Sequence, residues 1–114
     1  MSLKFYKLDG NVIFDEKELN LEKVEIKNSD ANEKHVPVVE INNNVVDVVV
    51  GSNLHPMTEE HYIQYIIVET NKGLHLQQTK SLKEARAKVL LSDNEKALRV
   101  YSYCNLHGVY VKEI

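Results

Sequence analysis

Tyr62-Ile63-Gln64-Tyr65-Ile66-Ile67-Val68 is the stretch that decides the fold class. Every position but Gln64 holds a β-branched or aromatic residue, which suits a pleated, half-buried surface better than a helix. The run is entered through His55-Pro56-Met57-Thr58-Glu59-Glu60-His61. Proline fixes its own φ and drives the residue before it towards extended geometry. The sequence therefore puts His55 on a turn, presented outward, and lets His61 open the strand. Two imidazoles on so short a tether can reach one metal ion, yet a pair at this spacing is by itself more often surface composition than a site.

Strand signals recur on both sides of this run. Upstream, Val45-Val46-Asp47-Val48-Val49-Val50 is a strand by composition, bounded by Asn42-Asn43-Asn44 and Gly51-Ser52-Asn53. Before it, Glu33-Lys34-His35-Val36-Pro37-Val38-Val39-Glu40 carries a charged pair into a histidine. Residues 3–14 read as a hairpin, because two short apolar runs flank Asp9-Gly10, a favoured two-residue turn pair. Leu21 to Lys27 is a further short strand, and Asn28 to Asn32 a polar turn with no evident chemistry.

Downstream, Asn71-Lys72-Gly73 turns the chain into a return strand, Leu74 to Gln78. His75 faces away from Leu74 and Leu76 there and reads as a solvent-facing bystander. Residues 81–91 are ambiguous. Leu82, Ala85 and Val89 allow a short helix, whereas Ala85, Ala87, Val89 and Leu91 alternate with Glu84, Arg86 and Lys88 at a strand period. Surrounded by β signals, the segment is read as a strand. Ala97 to Tyr103 and Val109 to Val111 are the last strands, joined through Cys104-Asn105-Leu106-His107-Gly108. At least about seven short strands with turn signals between them predict an all-β sandwich or barrel.

Composition narrows the function. The chain has 114 residues, 27% of them charged, and a formal net charge of −3 with both signs interspersed. That is the size of a single domain with its own core, and it lacks the basic face of a nucleic-acid binder. No apolar run is long enough to span a bilayer, and no secretory leader is evident, so the protein is expected to be soluble and cytoplasmic. The lone cysteine, Cys104, fits a reducing compartment, where it is a buried small hydrophobe, a nucleophile or a metal ligand.

His35, His55, His61, Cys104 and His107 all fall at strand ends or in the loops between strands. Loops at one end of a sandwich are where distant sequence positions converge. Five nitrogen and sulfur donors exceed the tetrahedral set of a structural zinc site. Four imidazoles and a thiolate suit a five-coordinate iron with one open position, to which the thiolate would donate electron density. A Ser/His/Asp triad, a 2-His-1-carboxylate triad and a glycine-rich phosphate loop are all missing. Adjacent Glu59 and Glu60 read as a solvated turn.

Together, Glu33-Lys34-His35-Val36-Pro37, His55-Pro56-Met57 through His61-Tyr62-Ile63, and Cys104-Asn105-Leu106-His107-Gly108 resemble the superoxide reductases of the desulfoferrodoxin/neelaredoxin family. The three motifs occur in the family's order and cover about residues 33–110. The resemblance implies an immunoglobulin-like β-sandwich holding a mononuclear non-haem iron. It makes His35, His55, His61 and His107 the equatorial ligands and Cys104 the axial one. Glu33 becomes the carboxylate able to cap the open position, and Lys34 the cation beside it.

The implied activity is one-electron reduction of superoxide to hydrogen peroxide, fed by an external donor such as rubredoxin, in a homodimer or tetramer. The competing reading is a non-catalytic zinc- or iron-binding β-domain. Lys4-Phe5-Tyr6-Lys7 and Gly10-Asn11 resemble the opening of the family's N-terminal desulforedoxin-like module, but its cysteines are missing. The expected organisation is thus a vestigial, metal-free β module over residues 1–30 and an iron domain over residues 31–114. Tyr65 and Tyr110 stand where tryptophan is expected near the site.

Overall fold

The computed structural model describes residues 3–114. The strands are β1 (Lys4–Leu8), β2 (Asn11–Asp15), β3 (Glu22–Val24), β4 (Ile26–Lys27), β5 (Pro37–Asn42) and β6 (Val45–Val50). They are followed by β7 (Ile63–Thr70), β8 (Leu74–Gln78), β9 (Arg86–Leu90), β10 (Ala97–Cys104) and β11 (Gly108–Glu113). They form three sheets, ordered β2-β1-β3, β4-β11-β10-β7-β8 and β5-β6-β9. The last two face each other as a sandwich built from β5–β11, with short β4 added in parallel along β11. No helix among the described residues is long and apolar enough to cross a membrane.

Residue pattern explains the layers. On β6, Val46, Val48 and Val50 point into the sandwich while Val45, Asp47 and Val49 are half-exposed. On β9, Ala87 and Val89 point in while Arg86, Lys88 and Leu90 point out. This is the alternation of a strand with one dry face. It also resolves the ambiguity over residues 81–91, because β9 pairs with β6 from Val45↔Leu90 to Val49↔Arg86.

β7 breaks that alternation, being buried along almost its whole length. Its two faces serve two cores. Ile63, Ile66 and Val68 join Val46, Val48, Val100 and Cys104 between the sandwich sheets. Tyr65 and Ile67 join Tyr101, Val109 and Val111 on the other face, beneath Leu3 and Phe5 of the N-terminal sheet. Phe14 tilts against both Phe5 and Tyr65, and Phe5 against Tyr101, with ring centroids 5.7, 6.1 and 5.3 Å apart. The expected hairpin forms around Asp9 and Gly10, both at positive φ, as a two-residue hairpin turn requires. Each large side chain it buries contributes roughly 1.5–3 kcal/mol.

The expected single strand from Leu21 to Lys27 is divided. β3 pairs with β1 and β4 with β11, so the chain leaves the outer sheet and enters the sandwich within a few residues. A second irregularity lies at the start of β7. Cys104 pairs with Ile63 but Tyr103 with Tyr65, leaving Gln64 as an extra residue. Such a bulge re-aims side chains. It puts Ile63 on the same inner face as Ile66 and Val68, beside Cys104.

Candidate metal centre

β7 and β10 run antiparallel, so the start of one lies beside the end of the other. That brings the loop carrying His55 and His61 against Cys104, the last residue of β10, and His107 in the turn before β11. His35, just ahead of β5, is drawn to the same end, where Ser102 Oγ donates to its carbonyl oxygen at 2.6 Å. Asn105 fastens the loops together. Its Oδ1 accepts from Tyr62 N at 2.9 Å and its Nδ2 donates to Glu60 O at 2.9 Å.

The result is a square of imidazoles. Ring centroids are 4.8 Å apart for His35–His55, 4.5 Å for His55–His61, 5.0 Å for His61–His107 and 4.9 Å for His107–His35, every neighbour edge-on. The His35–His61 diagonal is 6.3 Å. Donor atoms of His35, His55, His61 and Cys104 all lie within 4.8 Å of one another. His107 completes the group, with Nδ1 3.2 Å from His35 Nε2 and 3.7 Å from Cys104 Sγ. Cys104 Sγ lies 3.4 Å from His55 Nε2.

Contacts outside the square fix which nitrogen faces in. His55 Nδ1 lies 2.7 Å from Pro56 O, and His35 Nδ1 lies 2.7 Å from Asp30 Oδ2. Both oxygens accept a ring N–H, which leaves each Nε2 with a free lone pair. Burial pushes His55 down to about 4. The Pro56 carbonyl opposes that shift, and His35, His61 and His107 add to it. His61 is lowered as well, by burial first and then by His107, His35 and Lys34. His55 and His61 are therefore neutral donors at ordinary pH. Burial pushes the Cys104 thiol up, against the pull of the Leu106 and His107 peptide N–H groups. A thiolate in this pocket thus needs a cation beside it.

His61 Nε2 supplies the decisive mismatch, being buried with no hydrogen-bond partner. An orphaned, buried, neutral imidazole nitrogen facing three others and a sulfur is what a bound metal ion would satisfy. The residues present fit the implied iron.

Each predicted residue can now be placed. His35, His55, His61, Cys104 and His107 converge. His55, expected to be presented outward, is instead fully buried. The Pro56 effect concerns the backbone, and the cluster covers the ring. Glu33 and Lys34 occupy the exposed loop leading to His35. Glu33 has φ of 55°, and Ser52 Oγ donates to its Oε2 at 3.3 Å. Lys34 is close enough to disfavour protonation of His61. His75 lies outside the cluster, as expected, but is not simply solvent-facing: its Nε2 is 2.8 Å from Glu95 Oε2 at the opposite end of the sandwich. Tyr110 stacks on His35 at 4.6 Å, whereas the Tyr65 ring lies against Phe14 and Tyr103.

Sequence reasoning missed Asp30, Asn105 and Lys27. Lys27 Nζ donates to His107 O at 3.1 Å and sits 5.3 Å from the centre of the Tyr110 ring. All three are ordinary polar residues of turns and edges, and only their partners reveal them.

Comparison with known proteins places the chain in a family. A family model described as Desulfoferrodoxin matches residues 27–113. The desulfoferrodoxin homolog of Archaeoglobus fulgidus is 41% identical over 88 residues, 76% of this chain and 69% of that protein. The desulfoferrodoxin of Clostridium acetobutylicum is 40% identical over 84 residues, 74% of this chain and 65% of that protein. The match thus spans about two thirds of the length of these relatives. The crystal structure of the superoxide reductase from Treponema pallidum superposes with a TM-score of 0.85 at 31% identity, covering 98% of both chains.

Proposed function

We propose, because the chain belongs to the desulfoferrodoxin family and closes five nitrogen and sulfur donors around one point, that it is a superoxide reductase. The observation that carries the reading is the square of four imidazoles beside a buried cysteine sulfur, with His61 Nε2 left unpartnered. We assign His35, His55, His61, His107 and Cys104 as the ligands of a mononuclear non-haem iron. When bound in the ferrous state, that iron supplies the single electron which, with two protons, converts superoxide to hydrogen peroxide.

The chain's own residues set the conditions. Four neutral imidazoles and one thiolate leave the bound divalent ion a net positive charge, which attracts a small anion. Lys34 adds to that attraction locally, although the whole chain carries −3. We assign Lys34 to steering superoxide and ordering the water that supplies a proton, and Glu33 would be the carboxylate that closes the site after turnover. Cys104 would supply electron density to the bound ion, and the peptide N–H groups of Leu106 and His107, which donate to its sulfur, would moderate how much.

In this reading re-reduction is assigned to an outside donor, Cys104 being the one cysteine of this sequence. A small redox protein such as rubredoxin is the donor in this reading, and a homodimer or tetramer the assembly. Cytoplasmic placement accords with the single unpaired cysteine. We further propose that residues 1–30 descend from the family's N-terminal module. In support, the likeness to the Treponema pallidum enzyme extends over 98% of the chain, ribbon included.

The test is to purify the protein under low oxygen, measure its metal, oxidise it, and record the visible spectrum with and without Cys104→Ala. Iron near one per chain, with an intense charge-transfer band absent from the variant, is the expected result. Superoxide consumption without oxygen release then completes the case. Zinc in place of iron and no such band would favour a non-catalytic metal domain.

A further inference from the structure

His35 is held at four points. Its peptide N–H donates to Asp30 Oδ2 at 3.0 Å, its carbonyl accepts from Ser102 at 2.6 Å, and its ring face rests on Tyr110. Its Nδ1 contacts that same Asp30 Oδ2 at 2.7 Å. Asp30 Oδ2 also accepts from Lys34 N at 2.8 Å, and Oδ1 accepts from Asn32 N at 3.3 Å. The Asp30 side chain is 11% exposed, so this carboxylate is spent on fixed donors rather than on water.

We propose that Asp30 is a positioning residue of the metal centre: one carboxylate fixes the tautomer and aim of His35 and, through the Lys34 peptide, seats the loop bearing Glu33 and Lys34. The inference rests on the metal-binding reading of the pocket and on nothing about superoxide. Of the His35 ring atoms able to bond, Nδ1 is committed to Asp30 and only Nε2 faces the square. The opposite tautomer would place a proton on Nε2, against His107 Nδ1 at 3.2 Å, and remove the lone pair a metal needs. A carboxylate on the outer nitrogen also makes the inner one a stronger donor, the usual role of a carboxylate–histidine–metal arrangement. Meanwhile Glu33 O accepts from Asn53 N at 2.9 Å, so the loop is pinned by Asp30 on one side and the β6 exit on the other.

Asp30→Ala removes the acceptor. Asp30→Asn keeps an oxygen in place and removes the charge, and Asp30→Glu restores the charge. Chelator competition under low oxygen, run separately with ferrous iron and zinc, measures affinity, and the iron-loaded proteins then give a midpoint potential. Asp30→Ala is expected to weaken both metals about 10–100-fold, the range for outer-shell partners. Asp30→Asn is expected to raise the midpoint potential, because an anion favouring the ferric state is gone, and Asp30→Glu to bring it back towards the parent.

Affinities of Asp30→Ala within about twofold of the parent, far below the outer-shell range, together with an unmoved potential in Asp30→Asn, would overturn the assignment. Should Asp30→Ala fail to fold, the potential of Asp30→Asn decides alone. A parent that binds metal but consumes no superoxide sinks the reductase reading and leaves this one standing. A parent that binds neither metal sinks both.

Discussion

Two histidine–carboxylate pairs sit at opposite ends of the sandwich, and their distances barely differ. His35 Nδ1 is 2.7 Å from Asp30 Oδ2, and His75 Nε2 is 2.8 Å from Glu95 Oε2. Glu95 also accepts from Thr70 Oγ1 at 2.6 Å and from Ser92 N at 2.9 Å, so it ties the β7–β8 turn to the loop before β10. His75 lies on edge strand β8 with its side chain 35% exposed. At the other end, the second nitrogen of His35 meets imidazoles and a thiol in a dry pocket. A paired histidine is therefore not by itself a site. What separates the two ends is where the remaining nitrogen goes.

Breaking both pairs alike gives the largest contrast. His35→Ala is expected to lower ferrous-iron affinity by more than about 100-fold, beyond the loss from an outer-shell partner. His75→Ala is expected to leave affinity and superoxide turnover within about twofold, far below that range. Chelator competition and metal content read both.

A middle-sized effect is expected at Gly51. A Cβ there would lie 2.6 Å from Glu33 O and 2.7 Å from Lys34 C, both backbone atoms that cannot rotate away. Gly51→Ala should cost about 1–3 kcal/mol in a urea melt, as overpacking does. Because it displaces the Glu33–Lys34 loop, it should also slow superoxide reduction about tenfold or more. Normal turnover in Gly51→Ala would show that the position of this loop is irrelevant to catalysis.

The smallest effect sharpens the far end. The Thr70 hydroxyl, the Ser92 peptide and His75, in that order, hold Glu95 down to about 2, against the opposing effect of burial. A carboxyl lowered on folding is more protonated in the unfolded chain at intermediate acid pH. Its stabilisation is therefore full above the ordinary carboxyl range and fades as pH falls towards 2. Comparing the parent with Glu95→Gln between pH 6 and 2 should show a stability gap that closes on acidification. Asp30 is also held down to about 2, but it is present in both proteins, so the difference isolates Glu95.

The legible and illegible parts divide along the same line. Strands were readable where one face is dry, as on β6 and β9, because alternation records local burial. The five donors were readable because histidine and cysteine are scarce residues placed at strand ends. Partnership was harder to see. Nothing local says that Val24 and Ile26 belong to different sheets, or that β7 is buried twice over. His55 looked outward because a proline rule describes backbone and not what covers a ring. Asp30 looked like one more polar turn residue, since the loop's own curl, not its composition, brings four N–H groups of residues 32–35 onto its carboxylate.

The double burial of β7 has a consequence for anyone trimming the protein. A version starting at residue 31 keeps every proposed ligand but uncovers Tyr65, Ile67, Tyr101, Val109 and Val111 together, the face now roofed by Leu3 and Phe5. Such a contiguous oily surface invites self-association. Tyr101 would also lose the Leu3 N–H that its hydroxyl accepts at 3.3 Å. A minimal version would have to be repainted with polar residues at those positions before it stayed in solution. Whatever chemistry the ribbon lacks, it works as waterproofing.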